Sequence, residues 1–274
     1  MDCLMGAPQL SSECSYTALM TRTTAVAVLF LLGWGCAGDS DEVTGASVNE
    51  PNPKPAGELA MKIDHFMYAV ADLDEGVAWA EEAFGVAPVF GGSHEGLGTR
   101  NALLSLGDTY LEIIAPDPAQ SVESQMVTGM AAMSAGGLVT WAAQGDLVVT
   151  KGLLEEAGVS SVGPVETRRR TADGGLLVWD LLFPQGGGYG MPFFIDWRDS
   201  PHPATTTAVG GELVSFGIST PDAGDLGAVL AGLGLDVAVA DGEPEMSVVI
   251  EGAKGPVELV STEESRVLSP SSRR

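Results

Sequence analysis

The sequence predicts an α+β protein built from a repeated βαβββ unit, and two observations predict it. From residue 62 a strand, a helix and three further strands follow one another. The same succession returns near the C-terminus with matching residues: "HFMYAVADL" aligns with "SFGISTPDA" and "YLEII" with "VELVS". A less regular copy lies between them, so three copies are counted. With 274 residues, 45% of them hydrophobic, the chain can bury a core across several such units.

In the first unit "KIDHFMYAV" (62 to 70) has the apolar and aromatic content of a strand. "DLDEGVAWAEEAFG" (72 to 85) has helical spacing, with Asp72 as N-cap and Gly85 as the C-terminal stop. "VAPVFGG", "TRNALLSL" and "TYLEIIAP" read as strands, the last two joined by a turn at Gly107 and Asp108. The middle unit has a strand at "LVTWAAQ", a helix around "VVTKGLLEEAG", a hairpin through "VETRRRTADGGLLVWDLLF" and a strand at "MPFFIDW". The last unit, 210 to 262, runs through "ELVSFGIST", "DAGDLGAVLAGLG", "LDVAVA", "EMSVVIEG" and "GPVELVST". Aligning the repeats sets His65 against Ser215 and Glu112 against Glu258. Residues 263 to 274 read as a disordered tail.

The first sixty residues read as targeting and tether. Arg22 precedes the apolar run "AVAVLFLL" (25 to 32), which is too short to span a bilayer. Small residues and a cysteine follow in "GWGCAG", and a start at Met20 gives a conventional basic leader. "LLGWGC" resembles a bacterial lipoprotein signal. That resemblance implies a signal peptide over 1 to 35, lipidation of Cys36, and a cell-envelope location with a membrane partner through the anchor. Residues 37 to 60 have the polar, Pro- and Gly-rich composition of a flexible linker. Cys3, Cys14 and Cys36 all fall in or before this signal, so no disulfide framework is implied for the folded part. The match of Gly33, Gly35 and Gly38 to a nucleotide-binding pattern lacks strand and helix context.

With 13 basic and 37 acidic residues the formal charge is -24, which disfavours a nucleic-acid partner. The one basic run, Arg168 to Arg170, reads as a solvated hairpin loop.

The stretches "IDHFMYAVADLDEGVAWAEEAFGVAP", "GGSHEGLGTRNALLSLGDTYLEIIAPDP" and "PFFIDW" resemble the glyoxalase-like domain family of the vicinal oxygen chelate superfamily. The resemblance covers about residues 62 to 200. It implies paired βαβββ units whose curved mixed sheets enclose a cleft around a divalent metal such as Zn, Ni, Mn or Fe. It implies metal ligands from the first and last strands of each unit, which here are His65 and Glu112. The second unit offers Thr140 or Trp141, neither a ligand, and then Asp196. Imidazole and carboxylate suit such an ion, provided a third protein ligand joins them.

Glycines in "GGSHEGLGTRN" would let backbone approach a ligand, so Thr99, Arg100 and Asn101 are candidates for binding substrate. His94 and Glu112 are candidates for moving a proton. Trp141 is a candidate for lining the pocket, although aromatic residues on strands are more often core. His202 in "SPHPATTT" reads as a loop residue. Two functions stand open. One is a metal-dependent lyase, isomerase or dioxygenase acting on a small oxygen-rich molecule. The other is a metal-free protein that binds or sequesters such a molecule. The extra C-terminal unit adds a homodimer as a further expectation, since it lacks the partner that the other two units have in each other.

Overall fold

The structure is a computed structural model that describes residues 61–171 and 174–269; the leader, Cys36 and the linker lie outside the described residues. The first unit comprises β1 (Lys62–Ala69), α1 (Leu73–Phe84), β2 (Val89–His94), β3 (Thr99–Ser105) and β4 (Tyr110–Pro116). The second has β5 (Gly137–Gln144), α3 (Leu147–Glu156), β6 (Ser160–Arg170), β7 (Leu176–Gln185) and β8 (Phe193–Asp196). Between them α2 (Gln125–Ala131) is an addition to the expected scheme, capped by Ser124. Local chemistry places the helices. The Asp72 carboxylate accepts from the backbone of Asp74 and Glu75 at 2.8 and 3.1 Å, and Gly85 closes α1 in a left-handed turn with φ of 78°.

The two units share one eight-stranded mixed sheet in the order β2-β3-β4-β1-β5-β8-β7-β6. Laid flat, its edge strands would lie about 34 Å apart at roughly 4.8 Å per step. Instead β2 touches β6, so the sheet curls on itself and has a concave face. Ala102, Leu104, Leu111 and Ile113 face away from it into the main core with Leu73 and Phe84 of α1. Leu103, Tyr110, Ala142, Trp179, Ile195 and Trp197 form a second cluster on the concave side. Alternation along each strand divides the two sets.

The last unit, β9 (Gly211–Ser219), α4 (Ala223–Gly232), β10 (Ala238–Ala240), β11 (Glu245–Gly252) and β12 (Gly255–Val260), keeps the βαβββ succession. Its sheet order, however, is β10-β9-β11-β12. In the first unit β1 pairs directly with β4, whereas here β9 pairs with β10 and β11 and leaves β12 at the edge. Phe216 meets Phe66 and Trp141 edge-on at 4.9 and 5.0 Å, so the apolar face of this unit is covered within the chain.

The expected disordered tail is corrected over its first seven residues. Thr262 caps α5 (Glu263–Arg266) through a reciprocal bond with Ser265, whose hydroxyl also donates to the Leu138 carbonyl at 2.8 Å. Leu268 is buried with Met130 and Ile114, and that burial holds the segment down. Among the described residues no helix is long and apolar enough to cross a membrane.

Candidate functional site

The concave face carries a chain of polar side chains. His65 on β1 sits between two carboxylates: Nδ1 is 2.6 Å from Asp64 and Nε2 is 3.4 Å from Glu112 on β4. Tyr110 stacks on the imidazole at 4.6 Å, and Phe193 meets it edge-on at 5.4 Å. Glu112 shares the concave face with Tyr110, while Leu111 and Ile113 turn to the core. That alternation is why a carboxylate interrupts an apolar strand.

Beyond Glu112, Asn101 on β3 donates to its Oε1 at 2.6 Å and lies 3.2 Å from His94 Nε2. His94 Nδ1 in turn bonds the Thr99 hydroxyl at 2.8 Å. Three of the residues singled out in the glycine-rich stretch, His94, Thr99 and Asn101, are therefore brought to Glu112. Arg100 is not, because it alternates to the opposite face, where its guanidinium reaches toward Asp74 of α1 at 3.9 Å.

Asp64 is the central residue that reading by alternation misses. It is fully buried, and the pairing of β1 with β5 slips between Ile63 and His65, so Asp64 forms a bulge. A bulge breaks alternation and re-aims a side chain. Asp64 and His65 consequently both reach the concave side, where Oδ2 of Asp64 accepts from Trp197 Nε1 and contacts His202 Nε2, each at 3.0 Å. His202 is thereby more than a loop residue: it lies over the site and meets Tyr110 and Trp197 edge-on. A histidine flanked by prolines was the available signal, but nothing local named its partner.

The charges follow from the contacts. Burial by itself would drive His65 toward neutrality, but hydrogen bonds to Asp64 and Glu112 overcome it and raise its pKa to about 9. Burial likewise opposes charge on the carboxylates. Contacts with His202 and His65 nevertheless lower Asp64 to about 2, and contacts with His65 lower Glu112 to about 2. An imidazolium is thus held between two carboxylates. His94 moves the other way, since burial lowers its pKa and favours the neutral ring.

Two further expectations are corrected. Trp141 stands one residue from Ala142, the partner of His65 across β1 and β5, and so faces the core, where its Nε1 donates to Gly190 at 2.7 Å. Asp196 pairs with Asp180 on β7 and shares a face with Phe194, opposite to Phe193 beside His65. Its carboxylate accepts from the backbone of Arg198 at 2.8 Å instead of joining the site.

The basic run is corrected as well. Arg168 to Arg170 end strand β6, and Arg169 is half-buried against β2, with its charge felt by Glu112 and Tyr110. Only the curl of the sheet brings it there.

These residues do not fit a divalent ion. His65 is engaged at both nitrogens, and the two histidines flank different oxygens of Glu112 with the Asn101 amide beside them. At the positions equivalent to His65 and Glu112 in the register of the two units, the second unit presents Thr140 and Phe193. Among the described residues no three His, Cys, Asp or Glu side chains form a group that could hold a metal. A groove of about 330 Å³ lies elsewhere, between α1 and residues 133–136, and none of the cluster lines it.

A curled sheet of two βαβββ units joined through β1 and β5, with a polar row on its concave face, is the arrangement that the resemblance implied. The sequence pattern described as "Glyoxalase-like domain" matches residues 63–234, and the chain belongs to that family. A hypothetical protein from Staphylococcus aureus has a similar fold: TM-score 0.52 and 17% identity over 73% of this chain and 85% of that one. Methylmalonyl-CoA epimerase from Mycobacterium tuberculosis overlays with a TM-score of 0.37 at 24% identity, over 52% of this chain and 91% of that one. A variant of 4-hydroxymandelate synthase from Streptomyces coelicolor reaches 0.45 at 12% identity, over 76% and 64%. Both fall below 0.5 and bear on no assignment of chemistry. Among curated proteins no relative matches the chain.

Proposed function

We propose that this protein binds a small oxygen-rich molecule on the concave face of its first sheet without a metal ion, as a binding or sequestering domain. One observation carries the reading: both nitrogens of His65 face carboxylates, and the second unit supplies threonine and phenylalanine where partner ligands would stand. His94, more exposed at 18% and held toward the neutral form, is the group here suited to accept a hydrogen bond or proton from a ligand.

The same proposal places the domain in the cell envelope, tethered by a lipid on Cys36. The apolar run at 25 to 32 followed by small residues and a cysteine supports this. Lipid labelling that is lost in Cys36→Ala tests it.

For the site, the full chain would be incubated with Zn, Ni, Mn and Fe, desalted, and its metal measured by plasma mass spectrometry. Ligand binding would then be titrated with and without a chelator. Sub-stoichiometric metal together with binding that survives the chelator is the expected result. Near-stoichiometric metal lost in both His65→Ala and Glu112→Ala would overturn it.

A further inference from the structure

Away from the concave face, the groove between α1 and residues 133–136 has room for a ligand. Its volume of about 330 Å³ falls at the small end of the roughly 300–1,000 Å³ typical of small-molecule sites. One wall is aromatic. Tyr68 of β1 and Trp79 of α1 both line the groove, stacked at 4.9 Å with their planes 12° apart, and both stay half-buried. Phe84 meets the indole edge-on at 6.2 Å and ties the pair to the main core.

The polar groups of the groove are acceptors. Asp72 and Glu75 line it from the start of α1, and both are exposed. Among the described residues neither carboxylate has a cationic side chain within 4 Å, and no Lys, Arg or His lines the groove. Glu264 stands beside it, tied to the backbone and hydroxyl of Ser134 at 2.9 and 3.0 Å. The Tyr68 hydroxyl has no hydrogen-bond partner among the described residues. Gly136 leaves that hydroxyl its place, since a methyl group there would stand 2.7 Å from the oxygen.

Charge and donor count decide the class of occupant. The N-terminal end of α1 carries about half a positive charge, which by itself would draw an anion. Asp72, Asp74 and Glu75 outweigh it, and the N–H groups of Asp74 and Glu75 are already spent on Asp72 Oδ1. Aromatic faces attract cations and give an alkyl chain a surface to cover. A quaternary ammonium would suit the rings but leave the acceptors unmet, whereas a primary ammonium brings three donors.

We propose that this groove binds a primary alkylammonium ion. The ammonium head donates to the carboxylates of Asp72 and Glu75 and to the Tyr68 oxygen, and the chain lies along the aromatic pair. The site is separate from the concave face and goes beyond the function proposed for that face.

NMR titration of the full chain tests it, at about 0.15 M salt, where attraction by the formal charge of -24 is screened beyond about 8 Å. The indole N–H signal of Trp79, assigned by its absence in Trp79→Phe, reports occupancy. The probe is n-butylammonium, with tetramethylammonium as a cation lacking donors and butan-1-ol as the neutral counterpart. The signal should move saturably with n-butylammonium, at about tenfold lower concentration than with either control. Glu75→Gln and Tyr68→Phe, with thermal midpoints checking the fold, should each weaken n-butylammonium by about threefold to tenfold. Glu258→Gln, which removes an exposed carboxylate outside the groove, should leave its affinity unchanged. The site is overturned by a folded wild-type chain with no saturable movement, by an equal response to butan-1-ol or tetramethylammonium, or by an affinity unchanged in Glu75→Gln. Equal weakening in Glu258→Gln also overturns it, since attraction would then be diffuse.

Discussion

The first and last units run the same βαβββ succession, and their sequences align closely enough to set Glu258 against Glu112. Glu112 is buried, bonded by Asn101 and flanked by two histidines. Glu258 is exposed on an edge strand, where the Ser247 hydroxyl donates to it at 3.2 Å. The difference lies in strand order. Because β1 pairs with β4, His65 and Glu112 come from neighbouring strands; because β11 lies between β9 and β12, Ser215 and Glu258 are kept apart, each opposite Val249. A repeat in sequence therefore transfers elements but not contacts, and the site exists only where the pairing is that of the first unit.

Three experiments would break or sharpen this contrast. The largest effect is expected from Asp64→Ala, which strips a buried imidazolium of one counter-charge and leaves Trp197 and His202 without their acceptor. Breaking a buried charge pair typically costs about 3–5 kcal/mol, and urea unfolding should show a loss of that size. An unchanged midpoint would mean that the polar row contributes nothing to the fold.

The second effect is on pH dependence. His65 has its pKa raised from 6.5 to about 9, so its contribution to stability is complete below 6.5 and is lost as pH climbs through 9. Glu112 and Asp64 have theirs lowered to about 2, from 4.5 and 3.8, so their contributions are present above those ordinary values and are lost as pH falls toward 2. Thermal midpoints should peak between pH 4.5 and 6.5, and the fall on the alkaline side should flatten in His65→Gln. A profile identical in the variant would contradict the imidazolium assignment.

The smallest effect is expected from Glu258→Gln. As an exposed carboxylate on an edge strand it should change stability by less than about 0.5 kcal/mol. A loss comparable to that of Glu112→Gln would mean the two positions are equivalent after all.

Much of the fold is legible in the residues. Asp72 and Gly85 announce α1, and the apolar runs announce the strands, because caps and alternation act over a few residues. The same holds for the set His65, His94, Thr99, Asn101 and Glu112, supplied by two motifs lying close in sequence. Trp141 misleads by one position, since a strand that is apolar on both faces does not declare its register. Asp196 misleads for the same reason in "FFID". The tail misleads because its polar composition hides a single anchoring leucine, Leu268.

The sequence by itself determined the succession of elements, the α+β class and the family, because periodicity, caps and turn residues act locally. Only the tertiary structure decided the bulge at Asp64, the pairing of β1 with β4, and the curl that carries Arg169 to Gly91. The Asp64 to His202 contact spans 138 positions. Contacts at that range depend on how the strands are ordered and how the sheet bends, and no local pattern in the chain encodes either.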